Sequence, residues 1–323
     1  MRTWPSAFAA AVLAASCAHA FDVDAWHAKR ALHLAEADRL RAAYAGCVSK
    51  LQQPADNVTL PVETNPDGSV RFVVQARRAQ FFLAEGLVWA ENVVVKRFDD
   101  AGGLDTRIDA RSCVIDRMSK SGWAEGAVRI RHGKTTLTGK NAYFSAAESF
   151  VRIYEAADIQ SEDVEAGSAV ADMSGMRPAA AADGVARTAR IRSATSDYDH
   201  EEGVILFEGG VVIEYAGDYT MNSDSLYAFV ADTNVLSRVV AVGGVTITNG
   251  VRVGTCAAAT YRSARREIEM FGDGKGRRAH LEDRGGEATE LDGTKIRFWL
   301  DSEQVEVESS RITTKLGGRG PQK

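Results

Sequence analysis

The densest run of chemically capable side chains is Asp197-Tyr198-Asp199-His200-Glu201-Glu202, with four carboxylates and one imidazole in six residues. Such a run would suit a cation. Set across a cleft from a second carboxylate at roughly 5–9.5 Å, it would suit glycoside hydrolysis. Its spacing follows no metal-ligand pattern and it falls between two expected strands, so it reads as an acidic turn. His27 and His33 are six residues apart and do not share a helix face, which argues against a metal site there. Beyond Cys17, the thiols are Cys47, Cys113 and Cys256, too widely spaced for a metal site. An odd number in an exported chain leaves at least one thiol free. Burial as small apolar groups is preferred to a Cys47–Cys113 disulfide. Arg129, Arg131, Arg252, Arg265, Arg266 and Arg297 fall on polar positions of expected strands. Together they could grip phosphates in bidentate fashion; singly, each reads as a solvated strand face that discourages edge pairing. The chain has no Gly-x-Ser-x-Gly elbow, phosphate loop, His-Glu-x-x-His or paired cysteines. No catalytic residue, metal or cofactor is expected, and the chain reads as a non-enzyme. A net charge of −5 argues against nucleic acid as a partner.

The elements that would carry these groups are strands. Twenty-nine glycines against six prolines, with 45% hydrophobic residues, suit many short strands around a sizeable core. Residues 203–253 set the pattern, with Gly209-Gly210-Val211 and Gly243-Gly244-Val245 separated by 34 residues. Val245, Ile247, Val251 and Val253 fall on one parity, and Thr246, Thr248 and Arg252 on the other. With Asn249-Gly250 between them, this is a hairpin signal. Related phrases occur upstream at Asn92–Val95 and, 35 residues on, Ala127–Ile130. A repeated unit of two to three strands follows.

Six segments result. Residues 1–20 read as a secretory leader, with Arg2, the apolar run Ala7–Ser16 and the cleavage site Ala18-His19-Ala20. A rival reading is a lipoprotein signal ending at Cys17, but Ala14 stands where Leu would be usual. Residues 21–56 form a helical segment, with Leu40, Tyr44, Cys47, Val48 and Leu51 on one face and Pro54 beyond its end. Residues 57–165 form a first β region, opening at the turn Pro66-Asp67-Gly68-Ser69. The alanine-rich stretch 166–190 reads as a linker, residues 191–316 as a second β region, and 317–323 as a disordered tail.

Ser193–Tyr198, Gly209–Ile213, Met221–Tyr227, Val242–Val245, Ala257–Tyr261, Glu267–Gly272, Gly293–Phe298 and Val305–Val307 follow one another in an order that resembles the OstA-like family. These are periplasmic lipopolysaccharide-transport proteins of the LptA type, and the resemblance covers about 120 residues. Residues 70–160 resemble a more diverged member, closer to the LptC-type domain. The resemblance implies an all-β fold, an open twisted β-jellyroll in two tandem or continuous units, preceded by the N-terminal helix. It implies a periplasmic bridge that shields the acyl chains of lipopolysaccharide between the inner and outer membranes. Its partners would be inner-membrane exporter subunits, the outer-membrane translocon and further copies joined head to tail. The expected interior lining is Val211, Ile213, Tyr215, Val245, Ile247, Val251, Val253, Ile268, Met270, Ile296, Phe298 and Leu300. Such a mostly aliphatic lining suits acyl chains, at about 0.8 kcal/mol per buried methylene. It equally suits a filled core, and a structural or adhesive β-protein of the cell envelope is the alternative.

Overall fold

The computed structural model of the chain describes residues 21–99, 101–132, 135–161, 189–215, 219–230, 236–249, 252–262, 265, 267–284, 289–299, 305–309 and 311–314. The expected leader, the expected tail and most of the expected linker lie outside the described residues. The described chain is all-β, with one helix and nineteen strands, and clusters into two compact units. One comprises Asp22–Ser161 with Ala194–Glu202; the other comprises the described residues from 203 onward together with 189–193.

The helix-bearing unit contains α1 (Val23–Ser49), β1 (Ala55–Thr64), β2 (Val70–Phe82), β3 (Leu87–Phe98), β4 (Leu104–Asp116), β5 (Ser121–His132), β6 (Thr135–Ser145) and β7 (Phe150–Ser161). Of the next two strands, β8 (Ala189–Ser193) belongs to the C-terminal unit and β9 (Thr195–Asp199) to this one. Strands β1 to β7 pair antiparallel in chain order, and β9 closes on β7 through Phe150↔Asp199 and Ile153↔Ser196. The helical segment expected over 21–56 ends earlier, and β1 begins inside it at Ala55. Pro61 masks this strand in the sequence; the chain tolerates it because, among the described residues, β1 has ladder pairing to β2 on one side, and its other side is an edge where a missing N–H costs no ladder bond.

Each long strand serves two faces, and the phase slips partway along. In β3, Leu87 and Trp89 pack under α1, while Val88, Ala90, Val93 and Val95 line the opposite face. The slip from Ala90 to Val93 falls at Asn92, whose φ is 50°, a region Asn tolerates better than most residues. Gly126 (φ 82°), Asn141 (φ 56°) and Ala156 (φ 50°) mark the corresponding place in β5, β6 and β7. Bulges of this kind bend the strands and raise their twist.

Helix α1 starts at the N-cap Asp22, whose carboxylate accepts from the Ala25 N–H at 2.9 Å. Its buried stripe is Trp26, His33, Ala37, Leu40 and Cys47, at steps of 3, 4 and 7. These residues pack on Phe82, Trp89, Val114, Trp123, Tyr143 and Phe150. Val48, expected on the same face, is 44% exposed. Fully burying a Leu40 or Phe150 side chain contributes about 1.5–3 kcal/mol, so the helix is part of this unit's stability.

Cys47 lies in the cluster beneath the helix and Cys113 in the cluster on the other side of the sheet. All three described cysteines are free, and burial pushes the Cys113 and Cys256 thiols up to about 12. The mass of the oxidised, purified protein is therefore expected to be unchanged by reductant. Thiol titration should run slowly until denaturant is added, and a reducible Cys47–Cys113 bridge would contradict this packing.

The C-terminal unit contains β8, β10 (Val204–Tyr215), β11 (Tyr219–Val230), β12 (Leu236–Asn249), β13 (Arg252–Arg262), β14 (Glu267–Phe271), β15 (Ala279–Asp283), β16 (Thr289–Gly293), β17 (Lys295–Trp299), β18 (Val305–Glu308) and β19 (Arg311–Thr314). Strands β8, β10, β11, β12 and β13 pair in that order. The sheet then forks. The first half of β13 pairs with β15, which continues to β16 and β19; its second half pairs with β14, which continues to β17 and β18. The two Gly-Gly-Val phrases are bulges: Gly209, Gly210, Gly243 and Gly244 all have φ between 55° and 85°, where a Cβ would be strained.

Candidate functional site

The register of the C-terminal unit gathers its apolar side chains into two rows that run across the strands. The first is Ile191–Ile213–Met221–Ile247–Gly254–Leu281–Leu291, each residue directly paired with the next. The second is Phe207–Leu226–Ala241–Ala259–Met270–Ile296–Val307. Directly opposed side chains lie about 4.5–5.5 Å apart, so each row is a continuous hydrocarbon strip. The first strip has one gap, Gly254. A Cβ there would stand 3.0 Å from Met270 Cε and 3.7 Å from Leu281 Cδ1, so the Met270 thioether lies over the gap and joins the two rows. Burial falls along the first row: Ile191, Ile213, Met221 and Ile247 are buried, whereas Leu281 and Leu291 are half-buried. The strip thus opens toward β15 and β16.

Of the twelve expected lining residues, Val211, Ile213, Val245 and Ile247 are buried along the first row. Ile268, Met270, Ile296 and Phe298 lie along the second, with Phe298 half-buried. The pairing places Val253 elsewhere: it stands opposite Thr248, on the face turned away from Ile247. Asn249 pairs with Arg252, so the tight turn carries odd positions of β12 onto even positions of β13. Gly254 and Cys256 therefore take the places expected for Val251 and Val253. The side chains of Tyr215, Val251 and Leu300 lie outside the described residues. Met221, Gly254, Leu281 and Leu291 escaped the sequence reading. The only signal for them is the pairing register, which requires knowing which strands are neighbours.

Glu267 and Glu269 are buried on the opposite face of β14. Arg262 meets Glu267 at 3.0 Å and Glu269 at 2.9 Å, and Arg297 meets them at 3.2 and 2.8 Å. Lys295 meets Glu269 at 2.5 Å, and Arg297 also reaches Glu306 at 3.3 Å. Burial by itself would raise the Glu269 carboxyl, but hydrogen bonds from Lys295 and Arg297 and the charge of Arg262 hold it below its ordinary range. Arg297, considered for phosphate, is thus spent on carboxylates; Arg252 is paired with Asp283 at 2.7 Å.

The acidic run has a different office. Asp197 and Asp199 are 1% exposed at the seam between β9 and α1. Asp197 is met by Arg30 Nε and by Arg152 Nη1, both at 2.6 Å. Asp199 accepts from Trp26 Nε1 at 3.2 Å and faces Lys29 at 3.3 Å, while Lys29 also bonds Glu201 at 2.9 Å. Burial alone would lower the Lys29 ammonium; Glu201 and Asp199 outweigh it and hold it above its ordinary value. His33, stacked on Phe150 at 4.1 Å between ring centroids, stands in the same seam. The run is a latch for the helix, and among the described residues no cluster of His, Cys, Asp and Glu suits a metal ion.

The described chain is thus an all-β scaffold that bends through bulges and carries apolar strips across its strands. Residues 190–313 match the family described as LptA/(LptD N-terminal domain) LPS transport protein, and this segment thus resembles the OstA-like lipopolysaccharide-transport family. Among solved structures, the chain is similar to LptH from Pseudomonas aeruginosa, described as the LptA homologous periplasmic component of the conserved lipopolysaccharide transport device. That likeness has 14% identity and a TM-score of 0.33, and covers 40% of this chain and 95% of that one. No curated protein matches the chain. Among the described residues, no helix is long and apolar enough to cross a membrane.

Proposed function

We propose that the C-terminal unit shields acyl chains of lipopolysaccharide along its two apolar rows while the lipid passes through the periplasm between the inner and outer membranes. The observation that carries this reading is the pair of strips on the segment that matches the transport family. They offer apolar side chains, aliphatic but for the Phe207 ring and the thioethers of Met221 and Met270, which is the chemistry of a hydrocarbon tail. Val211, Ile213, Val245, Ile247, Ile268, Met270, Ile296 and Phe298 are the proposed lining. Met270, fully buried over Gly254, is an unbranched and adaptable side chain. It fills the strip when empty and swings aside as a chain enters from the half-buried Leu281 and Leu291. Inner-membrane exporter subunits, the outer-membrane translocon and further copies of the chain are the proposed partners. Both buried carboxylate pairs, Asp197/Asp199 and Glu267/Glu269, are ion-paired, which supports a carrier over a hydrolase.

A photoreactive residue at Phe298 or Leu281 in the full-length protein, irradiated in its native envelope, is expected to form an adduct with lipopolysaccharide; one at the exposed Arg252 is not. Absence of an adduct at both inward positions, with the fold intact by circular dichroism, would leave the filled-core structural protein as the better reading.

A further inference from the structure

The three most exposed large apolar side chains among the described residues are Met118, Leu83 and Leu32, at 87%, 79% and 74%. All three stand at one end of the helix-bearing unit. Leu83 lies in the turn from β2 to β3 and Met118 in the turn from β4 to β5. The two turns are joined. The Arg117 N–H donates to the Gly86 carbonyl at 3.1 Å, and a Cβ at Gly86 would stand 3.9 Å from Met118 Cγ. Leu32 lies on the flank of α1 that runs beside these turns. It precedes Glu36 and Arg39 by four and seven residues, spacings that share a helix face. Glu36 accepts from the Ser119 and Ser121 hydroxyls at 3.3 and 3.1 Å, and Arg39 meets Asp116 at 2.6 Å. Large apolar groups gathered in water at one end of a folded unit mark a surface that a less polar phase would receive.

The turns can leave water at low cost. An amide that enters an apolar phase unpaired is expensive, and the amides here are paired within the unit. The Asp116 carboxylate accepts from the Met118 N–H at 2.9 Å and the Ser119 N–H at 3.3 Å. The Glu85 and Gly86 N–H groups donate to the Phe82 and Leu83 carbonyls at 3.2 and 3.4 Å. The charges are sorted as well. Carboxylates at this end are engaged from the helix: Glu36 and Asp116 by Arg39, Glu85 by Lys50, and Glu148 by the His33 ring. Arg117 and Lys120 share the turn with Met118; both are exposed, and neither makes an ion pair among the described residues.

We propose that this end of the helix-bearing unit docks on the surface of an anionic lipid bilayer. Leu32, Leu83 and Met118 enter the boundary between headgroups and acyl chains, and Arg117 and Lys120 meet lipid phosphates. A protein partner suits the surface less well. Protein interfaces draw their strength from closely fitted, fully dried contacts, and side chains that project singly from two turns and a helix flank offer no such face. A fluid bilayer needs no matching shape. The docking surface is on the outside of the unit and does not depend on lipid in the C-terminal rows.

The test is sedimentation of the full-length protein with vesicles of phosphatidylethanolamine and phosphatidylglycerol, with which it is expected to pellet. The Leu83→Ser/Met118→Ser variant, checked for an unchanged melting curve, is expected to bind them about tenfold more weakly. The Arg117→Gln/Lys120→Gln variant is expected to lose about fivefold per base, roughly 25-fold in all, and to bind vesicles of phosphatidylcholine alone as the parent does. An environment-sensitive fluorescent residue at Leu83 should shift to the blue on the anionic vesicles. One at Leu104, exposed at the far end of β4, should not. Failure of the parent to pellet, equal pelleting of all three proteins, or a blue shift at both positions overturns the docking. A parent that ignores vesicles but forms oligomers that the Leu83→Ser/Met118→Ser variant does not form also overturns it, and assigns the surface to contact between copies.

Discussion

Asp197→Ala is expected to destabilise the helix-bearing unit by about 3–5 kcal/mol, the usual cost of removing one partner from a buried ion pair. The carboxylate is 1% exposed and stands 2.6 Å from both Arg30 and Arg152. Without it, two guanidinium groups confront each other in the seam between α1 and the sheet, with Arg152 over the Tyr154 ring at 4.9 Å. The helix should loosen first, because Asp197 joins it to β9 and β7 at once. Urea unfolding followed by far-ultraviolet circular dichroism would give the stability, and proteolysis within 23–49 would show release of the helix. Glu201→Ala provides the contrast. Its carboxylate is 66% exposed and, among the described residues, meets Lys29, so its loss should leave the unfolding curve nearly unchanged. Equal effects from the two substitutions would contradict the latch.

Glu269→Gln is expected to destabilise the C-terminal unit by about 3 kcal/mol at neutral pH and to flatten its response to acid. The figure lies at the low end for a buried pair because Glu267 remains to face Arg262 and Arg297. The sign follows from the depressed carboxyl of Glu269. A carboxyl that titrates lower in the folded state than in the unfolded chain contributes its full stabilisation above the unfolded value, near pH 4.3. That contribution fades as pH falls through the depressed folded value, where the protonated carboxyl no longer balances Lys295 and Arg297. The parent protein should therefore lose stability as pH is lowered from about 5, and the variant should lose less over the same window. Parallel stability curves for the two proteins would show that Glu269 contributes no such linkage. The substitution falls on the face that Arg297 and Lys295 share, so lipid adducts at Phe298, on the opposite face of β17, should persist in the variant.

These two clusters also show where sequence reading stopped. The strands themselves were legible. Alternation such as Val245, Ile247 against Thr246, Thr248 states that one face is covered, and Gly243-Gly244 with positive φ marks a bulge. The acidic run was legible as composition and opaque as purpose. Its partners, Trp26, Lys29 and Arg30, lie some 170 residues earlier, and nothing local says that β9 pairs with β7. Helix α1 was found, but its contact face was found only in part. His33, a polar residue, and Ala37, a small one, interrupt the apolar pattern at positions where packing on Phe150 and Tyr143 makes burial favourable.

The residues of this chain determine, without reference to anything distant, that it makes many antiparallel strands after one helix. That follows from period-two alternation, plentiful glycine and a single long proline-free stretch, because local backbone preference and side-chain periodicity act within a few residues. The chain's likeness to a lipopolysaccharide-transport domain is legible on the same scale. Tertiary structure alone decided which residues share a face across strands. At Asn92 the inward parity changes, from Val88 and Ala90 to Val93 and Val95, and the pairing of Asn249 with Arg252 sends Val253 away from Ile247. Rows such as Ile213–Met221–Ile247 exist only once register is set, and register is a property of pairs of strands, fixed by the summed packing of both faces.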